Sequence, residues 1–344
     1  MYDTEDTKKE IGQKLATSGT AGRVWPATVA ALDVGSNSFH LMVAEASSPQ
    51  RITVIDRAKE MVRLGETLRD GAIPPEAFAR GLDALERLRD VAARHRPEAI
   101  VAVATSAVRE AANGNDFVAA AHQRLGLTIR PIDGIEEARL IYLGARAALG
   151  LGQQRVALFD LGGGSTEAVL GDAMGCLWAT SLKMGGLRLR GEVPVADPPG
   201  DSGRAALEEH VRALVGPTVQ HMLRQGFDQV AFTSGTALAL ARLAGEPLPP
   251  VGGAQRYRLP LSALRWCERT LATLSSSERA TFPGLEPRRN DTIVPGDVAL
   301  RTILEMTGAS AAVVCDAALR EGVLSAYLAD RGRPSFHDDI NVAG

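Results

Sequence analysis

The stretches VAALDVGSNSFHLMVAE at residues 29–45 and VALFDLGGGSTEAVLGD at residues 156–172 align with each other without a gap, from Asp33 on Asp160 to Glu45 on Asp172. Each is an apolar run ending in an aspartate, followed by a turn of small residues and a second apolar run. That pattern reads as a β-hairpin with polar groups at its tip. Two such tips facing each other would clamp a chain of phosphates.

Working outward, ITVIDRAKEMVRLGE predicts a further strand and an Arg-bearing loop, punctuated by Gly71, Pro74 and Pro75. A helix is expected from Pro75 to about His95, with Phe78, Leu82, Leu85 and Leu88 at helical spacing. AIVAVAT then reads as a strand, Ser106 as the N-cap of a helix, LTIRPID as a strand, and the segment from about Ile135 to Leu149 as a helix. Beyond the second hairpin come an amphipathic helix around residues 205–225, strand QVAFTSG, helix TALALARLAG and a Pro/Gly-rich connection at 247–253. Helix LSALRWCERTLATL and the strand-and-helix segment AAVVCDAALREGVLSAYLA follow. Strands and helices alternate through both halves, so the expected class is α/β with two lobes. A chain of 344 residues also exceeds the size at which one core keeps growing.

With 45% hydrophobic and 23% charged residues the composition is that of a globular protein. A net charge of −3 gives no global attraction for polyanions, so a phosphate-rich ligand must be captured by local groups, and nucleic acid is not an expected partner. Cys176, Cys267 and Cys315 match no metal-ligand spacing or redox pair. The polar N-terminal segment carries no secretory pattern, and the longest apolar run, residues 99–104, is far too short to span a membrane. A cytoplasmic location is the expectation.

In the second hairpin, Gly162, Gly163 and Gly164 allow close backbone approach to a phosphate, and Ser165 and Thr166 add hydroxyl donors. Asp160 and Glu167 flank the turn, where carboxylates would hold a divalent cation against phosphate oxygens. A plain Gly-rich turn with surface acids is the alternative, and the repeat of the pattern earlier in the chain weighs against it. The first hairpin offers Ser36, Asn37 and Ser38 as phosphate donors and Asp33 as an outer ligand to metal-bound water; a capped structural turn explains the same residues. His40 takes the place of Glu167.

Arg109 lies in the first turn of a helix, against the preference of that end for anions, which suggests phosphate binding; an ion pair with Glu110 or Asp116 is the other reading. Glu136 and Glu137 open the helix after Gly134, where they are ordinary helix-start acids or acceptors for a proton from water. Gly235, in Ser234-Gly235-Thr236, marks either a strand-to-helix turn or an anion contact. Gly186, in SLKMGGLRLR, offers a further close approach beside Lys183, Arg188 and Arg190, which read equally as solvated edge charges.

Together these segments resemble the exopolyphosphatase and guanosine pentaphosphate phosphohydrolase family, within the actin, sugar-kinase and heat-shock-70 fold superfamily. The resemblance runs from Val29 to about Leu328 through ALDVGSNSFHLMVAE, VATSAVREAANG, IDGIEEARLIYLGA, FDLGGGSTE, MGGLRL, FTSGTA and VVCDAALREGVL. It implies an actin-like cleft and hydrolysis of a terminal phosphoanhydride in inorganic polyphosphate, guanosine pentaphosphate, or both. It further implies Glu137, or Glu136 beside it, as general base, and Mg²⁺ or Mn²⁺ held by Asp160 and Glu167. Asn37, Arg109, the 162–166 loop and Gly235 would bind phosphate, and a homodimer is expected. The expected organisation is a leader over 1–27, one domain over 28–134 with helix 317–330 packing back on it, a second over 135–316, and a loose tail over 331–344. Longer members carry a C-terminal domain related to HD phosphohydrolases, for which this chain ends too early. A nucleotide-binding sensor and a phosphotransferase to ADP are the rival readings.

Overall fold

The computed structural model describes residues 25–48, 51–67, 71–329 and 341–342. Most of the expected leader and tail lies outside them, although β1 already opens at Ala27. The first sheet is built from β1 (Ala27–Val34), β2 (Ser38–Ser48), β3 (Arg51–Met61), β4 (Ala99–Ala104) and β5 (Ile129–Pro131). Helices α1 (Pro75–Ala93), α2 (Ser106–Glu110) and α3 (Gly114–Leu125) accompany it, and α4 (Gly134–Leu149) follows. The second sheet uses β6 (Val156–Leu161), β7 (Thr166–Gly171), β8 (Cys176–Leu182), β9 (Gln229–Thr233), β10 (Glu246–Val251), β11 (Ala254–Pro260) and β12 (Ala311–Cys315). Its helices are α5 (Gly186–Glu192), α6 (Asp201–Gln225), α7 (Gly235–Ala244), α8 (Leu261–Leu271), α9 (Ser276–Ala280), α10 (Ile293–Thr307) and α11 (Leu319–Ala329). A short β13 (Asn341–Val342) pairs with β4.

The two sheets repeat one topology. The first runs β3–β2–β1–β4, with β5 on the far side of β4; the second runs β8–β7–β6–β9–β12 and continues to β11 and β10. In each, an antiparallel three-strand meander is followed by a strand that returns parallel to the first. The chain therefore has the two-lobed, actin-like α/β fold expected from the duplicated hairpin. Register confirms the internal alignment: Asp33 faces His40 across the first hairpin, and Asp160 faces Glu167 across the second. The central strands β1 and β6 are almost wholly buried, because both faces are covered, which is why they read as continuous apolar runs.

Three apolar cores follow from this layering. One lies between the first sheet and α1 and α3, and one lies outside the second sheet beneath α6, α7, α8 and α10. The third joins the sheets through α4, which rests on β7 and β8, and α11, which rests on β1. These two helices cross with almost no space between their backbones. A Cβ added at Gly144 would lie 2.0 Å from the Ala318 carbonyl oxygen, and one at Gly322 would lie 1.8 Å from that of Leu140.

Besides β8, α5 and α9, which the sequence did not signal, two elements differ from the sequence reading. The Pro/Gly connection at 247–253 is mostly an edge strand, β10, where a missing N–H costs no ladder bond; Gly252 and Gly253, with φ of 59° and 82°, turn it into β11. Helix α10 was not signalled, because Pro295 and Gly296 interrupt its opening. Proline is tolerated there, since the first N–H groups of a helix have no partner in any case. Among the described residues, no helix is long and apolar enough to cross a membrane.

Candidate active site

The two hairpin tips meet. A Cβ added at Gly163 would stand 3.1 Å from both Cβ and N of Asn37, and one at Gly164 would stand 2.3 Å from Ser106 Oγ and 2.9 Å from Ser36 Oγ. Only glycine permits the second loop to lie this close to the first. Together they floor a cleft of about 450 Å³ between the lobes.

Local bonding explains why the Gly162–Gly164 loop presents donors. Its carbonyls point backward: Gly162 O accepts from Gly186 N at 2.9 Å, Gly163 O from Leu187 N at 2.9 Å, and Gly164 O from Arg188 Nε at 2.8 Å. The N–H groups of Gly163 and Gly164 enter no backbone hydrogen bond among the described residues, so they form an electropositive turn beside Asn37. Gly186 thus lines the cleft but spends its N–H on the loop, and Arg188, also bonded to Glu110 at 2.8 Å, acts as a clasp between the lobes. Ser36 Oγ lies 2.7 Å from Ser106 Oγ and accepts from Ala107 N, tying the first hairpin to the start of α2. Ser106 was read as a cap, yet the N-cap position belongs to Thr105.

The acids gather along one wall. Asp33, Glu137, Asp160 and Glu167 all line the cleft, and Glu137 and Glu167 are 6% and 1% exposed. Asp133 caps α4 through bonds to the N–H groups of Ile135 and Glu136, which fixes the first turn. Glu136 then turns outward to Arg130, at 2.6 and 2.9 Å, while Glu137 turns into the cleft. This separates two acids that the sequence left equivalent. Arg109 donates from Nη1 to Glu137 Oε2 at 2.8 Å and to the Ile132 carbonyl at 2.8 Å. It is therefore tied to the acid and does not itself line the cleft. Thr166 is fully buried and its hydroxyl is spent on the Met184 carbonyl. Gly235 lines the cleft at the start of α7, where the Ser234 side chain caps Ala237 N–H at 3.2 Å.

Burial dominates the electrostatics. It raises the Asp33 carboxyl to about 7, against the pull of Arg320 and with added push from Asp160. Burial, then the charge of Asp160, raises Glu167 to about 7 even though Ser181 donates to it at 2.8 Å. Glu137 is held well above the usual range by burial and by Glu167, opposed by Arg109. Asp160 is raised by burial, opposed by a 2.6 Å bond from Thr233. His40 is pushed well below its usual value by burial and by Arg320, so it is neutral; its Nε2 lies 2.7 Å from Ser38 Oγ.

Such a cluster fits a divalent cation. Buried carboxylates that raise one another's pKa are relieved by positive charge, and Asp33 Oδ1 and Asn37 Oδ1 are buried without a hydrogen-bond partner among the described residues. Among the described residues no three His, Cys, Asp or Glu side chains converge into a closed metal cage.

Residues 42–330 match the model of the Ppx/GppA phosphatase family. The chain belongs to the Ppx/GppA phosphatase family. It is 30% identical over 295 residues to exopolyphosphatase 1 of Mycobacterium leprae, covering 85% of this chain and 87% of that protein. The corresponding Mycobacterium tuberculosis exopolyphosphatase 1 is also 30% identical, over 85% of this chain and 86% of its own length. The crystal structure of an exopolyphosphatase from Cytophaga hutchinsonii superposes with a TM-score of 0.80 at 26% identity, over 88% of this chain and 97% of that one. An Aquifex aeolicus Ppx/GppA member shares the fold, with a TM-score of 0.73 at 24% identity over 89% of this chain and 99% of its own.

The site also holds residues without a sequence signal. Lys59, Arg57, Arg289 and Arg320 line the cleft beyond the phosphate loops. They come from an edge strand, a turn and a helix start, and only the tertiary fold brings them together.

Proposed function

We propose that this member of the phosphatase family hydrolyses the terminal phosphoanhydride of inorganic polyphosphate. One observation carries the reading: Glu137, buried and pinned at one oxygen by Arg109, opens into the same cleft as two touching anion-binding hairpins. Its second oxygen is left to accept a proton. The N–H groups of Gly163 and Gly164, with the Asn37 and Ser165 side chains, hold the terminal phosphate. Glu137 orients a water in line with the bond to be broken. The water oxygen bonds to the terminal phosphorus, its proton passes to Glu137, and the bridging P–O bond breaks with its electrons going to the shortened chain. Mg²⁺ or Mn²⁺, held by Asp160 and Glu167 with Asp33 behind, would neutralise phosphate oxygens and offset the repulsion among the acids. The elevated proton affinity of Glu137, caused by burial and Glu167, makes it a competent acceptor once that repulsion is offset.

The cleft lining carries Arg57, Lys59, Arg289 and Arg320 beyond the loops, which suits a run of phosphates. Purified protein given Mg²⁺ and polyphosphate, with and without ADP, tests the reading. Free phosphate released without ADP supports it; ATP formed only with ADP marks a phosphotransferase, and binding without turnover marks a sensor. Guanosine pentaphosphate in parallel reads the second substrate, and sedimentation reads the expected homodimer.

A further inference from the structure

Past Gly235 the cleft holds an arrangement that the hydrolytic reading leaves unused. The Lys59 ammonium, on β3 of one lobe, donates to both carboxylate oxygens of Glu286 in the other, at 3.0 and 2.9 Å. Arg289 Nε donates to the same carboxylate at 2.8 Å. The Arg289 side chain is only 10% exposed, and its fork lies over Gly235: a Cβ placed on that glycine would meet Nη2 at 2.3 Å. Its terminal nitrogens make no hydrogen bond among the described residues, and they face the electropositive N-terminus of α7.

Two cations converging on one carboxylate, with the start of α7 against the far side of the Arg289 fork, make an anion site, and the anion in it is the protein's own. Burial lowers Lys59 and Arg289, and Lys59 is lowered further by Arg289 itself, so positive charge is crowded there. One carboxylate offsets it incompletely. The Glu286 side chain is 52% exposed, at the rim, so it can swing into water without a desolvation penalty.

We propose that Glu286 is an internal stand-in for a substrate phosphate: its carboxylate fills a second anion subsite made by Lys59 and Arg289 beside the start of α7, and a phosphate further along the chain must displace it. This rests on the polyphosphate reading and adds a selection rule to it. A chain too short to reach the subsite leaves Glu286 in place and gains nothing from the two cations. A longer chain exchanges a monovalent carboxylate for a phosphate and is favoured by the difference. Glu286 thereby weakens binding of the chains long enough to reach the subsite and blunts the preference for length that the two cations alone would give.

Calorimetry with Mg²⁺ in a Glu137→Gln background, where chains bind without being consumed, tests this with pyrophosphate, tripolyphosphate and longer chains of defined length. Adding Glu286→Gln should tighten the longer chains by roughly 3- to 10-fold, as loss of two rim ion pairs implies, and leave pyrophosphate unchanged. Lys59→Ala placed on top should abolish that gain. Equal affinities with and without Glu286→Gln, or an equal gain for pyrophosphate, overturn the stand-in role while the hydrolytic reading stands. If no chain binds either protein, both fall together.

Discussion

Replacing Glu167 by glutamine should make the protein more stable at alkaline pH, and the size of the effect follows from its surroundings. The carboxyl is 1% exposed, faces Asp160 across the hairpin, and titrates at about 7 against 4.5 for the free group. The folded state thus holds this proton more tightly than the unfolded chain. Stability from this group is complete below about pH 4.5 and is lost as pH climbs through about 7. The difference of 7 − 4.5, or about 2.5 pKa units, corresponds to about 3 kcal/mol of lost stability at pH 8 and under about 1 kcal/mol at pH 5. Glutamine keeps the shape and still accepts the 2.8 Å bond from Ser181, but carries no charge to bury. Urea melts of the metal-free proteins at pH 5 and 8 measure both ends. The variant should be nearly matched with the parent at pH 5 and more stable by about 2–3 kcal/mol at pH 8. Mg²⁺ should stabilise the parent and leave the variant almost unmoved. A variant no more stable than its parent at pH 8 would refute the account of an acid strained by burial and by its neighbour.

Glu137→Gln should lower the rate of phosphate release by about 10²- to 10⁴-fold, while Glu136→Gln, whose partner is Arg130 outside the cleft, should stay near the parent rate. In the parent, the rate at saturating substrate should rise with pH as the buried acids lose their protons, a limb absent from Glu137→Gln. Gly164→Ala drives a methyl to 2.3 Å from Ser106 Oγ, and should cost about 1–3 kcal/mol in urea melts as well as most of the activity. Asp297, fully buried in α10 with neither oxygen hydrogen-bonded among the described residues and its carboxyl raised by burial and then by Glu268, lies outside the cleft lining. Asp297→Ala should therefore raise the melting temperature at pH 8 more than at pH 5 without altering turnover.

The parts of the fold legible in the sequence were those governed by short-range pattern. The hairpins announced themselves because burial on both sides demands unbroken apolar strands, and contact between their tips demands glycine. Helix α4 is equally local, although its cap, Asp133, was not singled out in the sequence. Strand β10 was hidden because proline argues against a strand except at an edge, and edge position is a property of the assembled sheet. The placement of Arg109 on Glu137 was likewise out of reach: the helix read as carrying a cation against its dipole has only five residues, with Arg109 in its last turn, and the partner lies 28 residues away on another helix. Thr166 shows the reverse case, a hydroxyl in a phosphate-loop pattern that strand pairing turns inward to Met184. Lys59, Glu286 and Arg289 carry no pattern at all, since each is an ordinary charge until the lobes meet.

The bare contact between α4 and α11 has a mechanical consequence. With Gly144 against Ala318 and Gly322 against Leu140, the helices sit backbone to backbone at this crossing, and an atom added there must be taken up by a tilt of α4. Glu137 stands seven residues toward the N-terminus of α4 from Gly144, a lever arm of about 10 Å at 1.5 Å per residue. A swing of only about 5° moves its carboxylate by about 1 Å, a displacement on the scale that separates a well-aimed water from an idle one. A methyl group at this pivot, remote from every phosphate, would throw the acid off target.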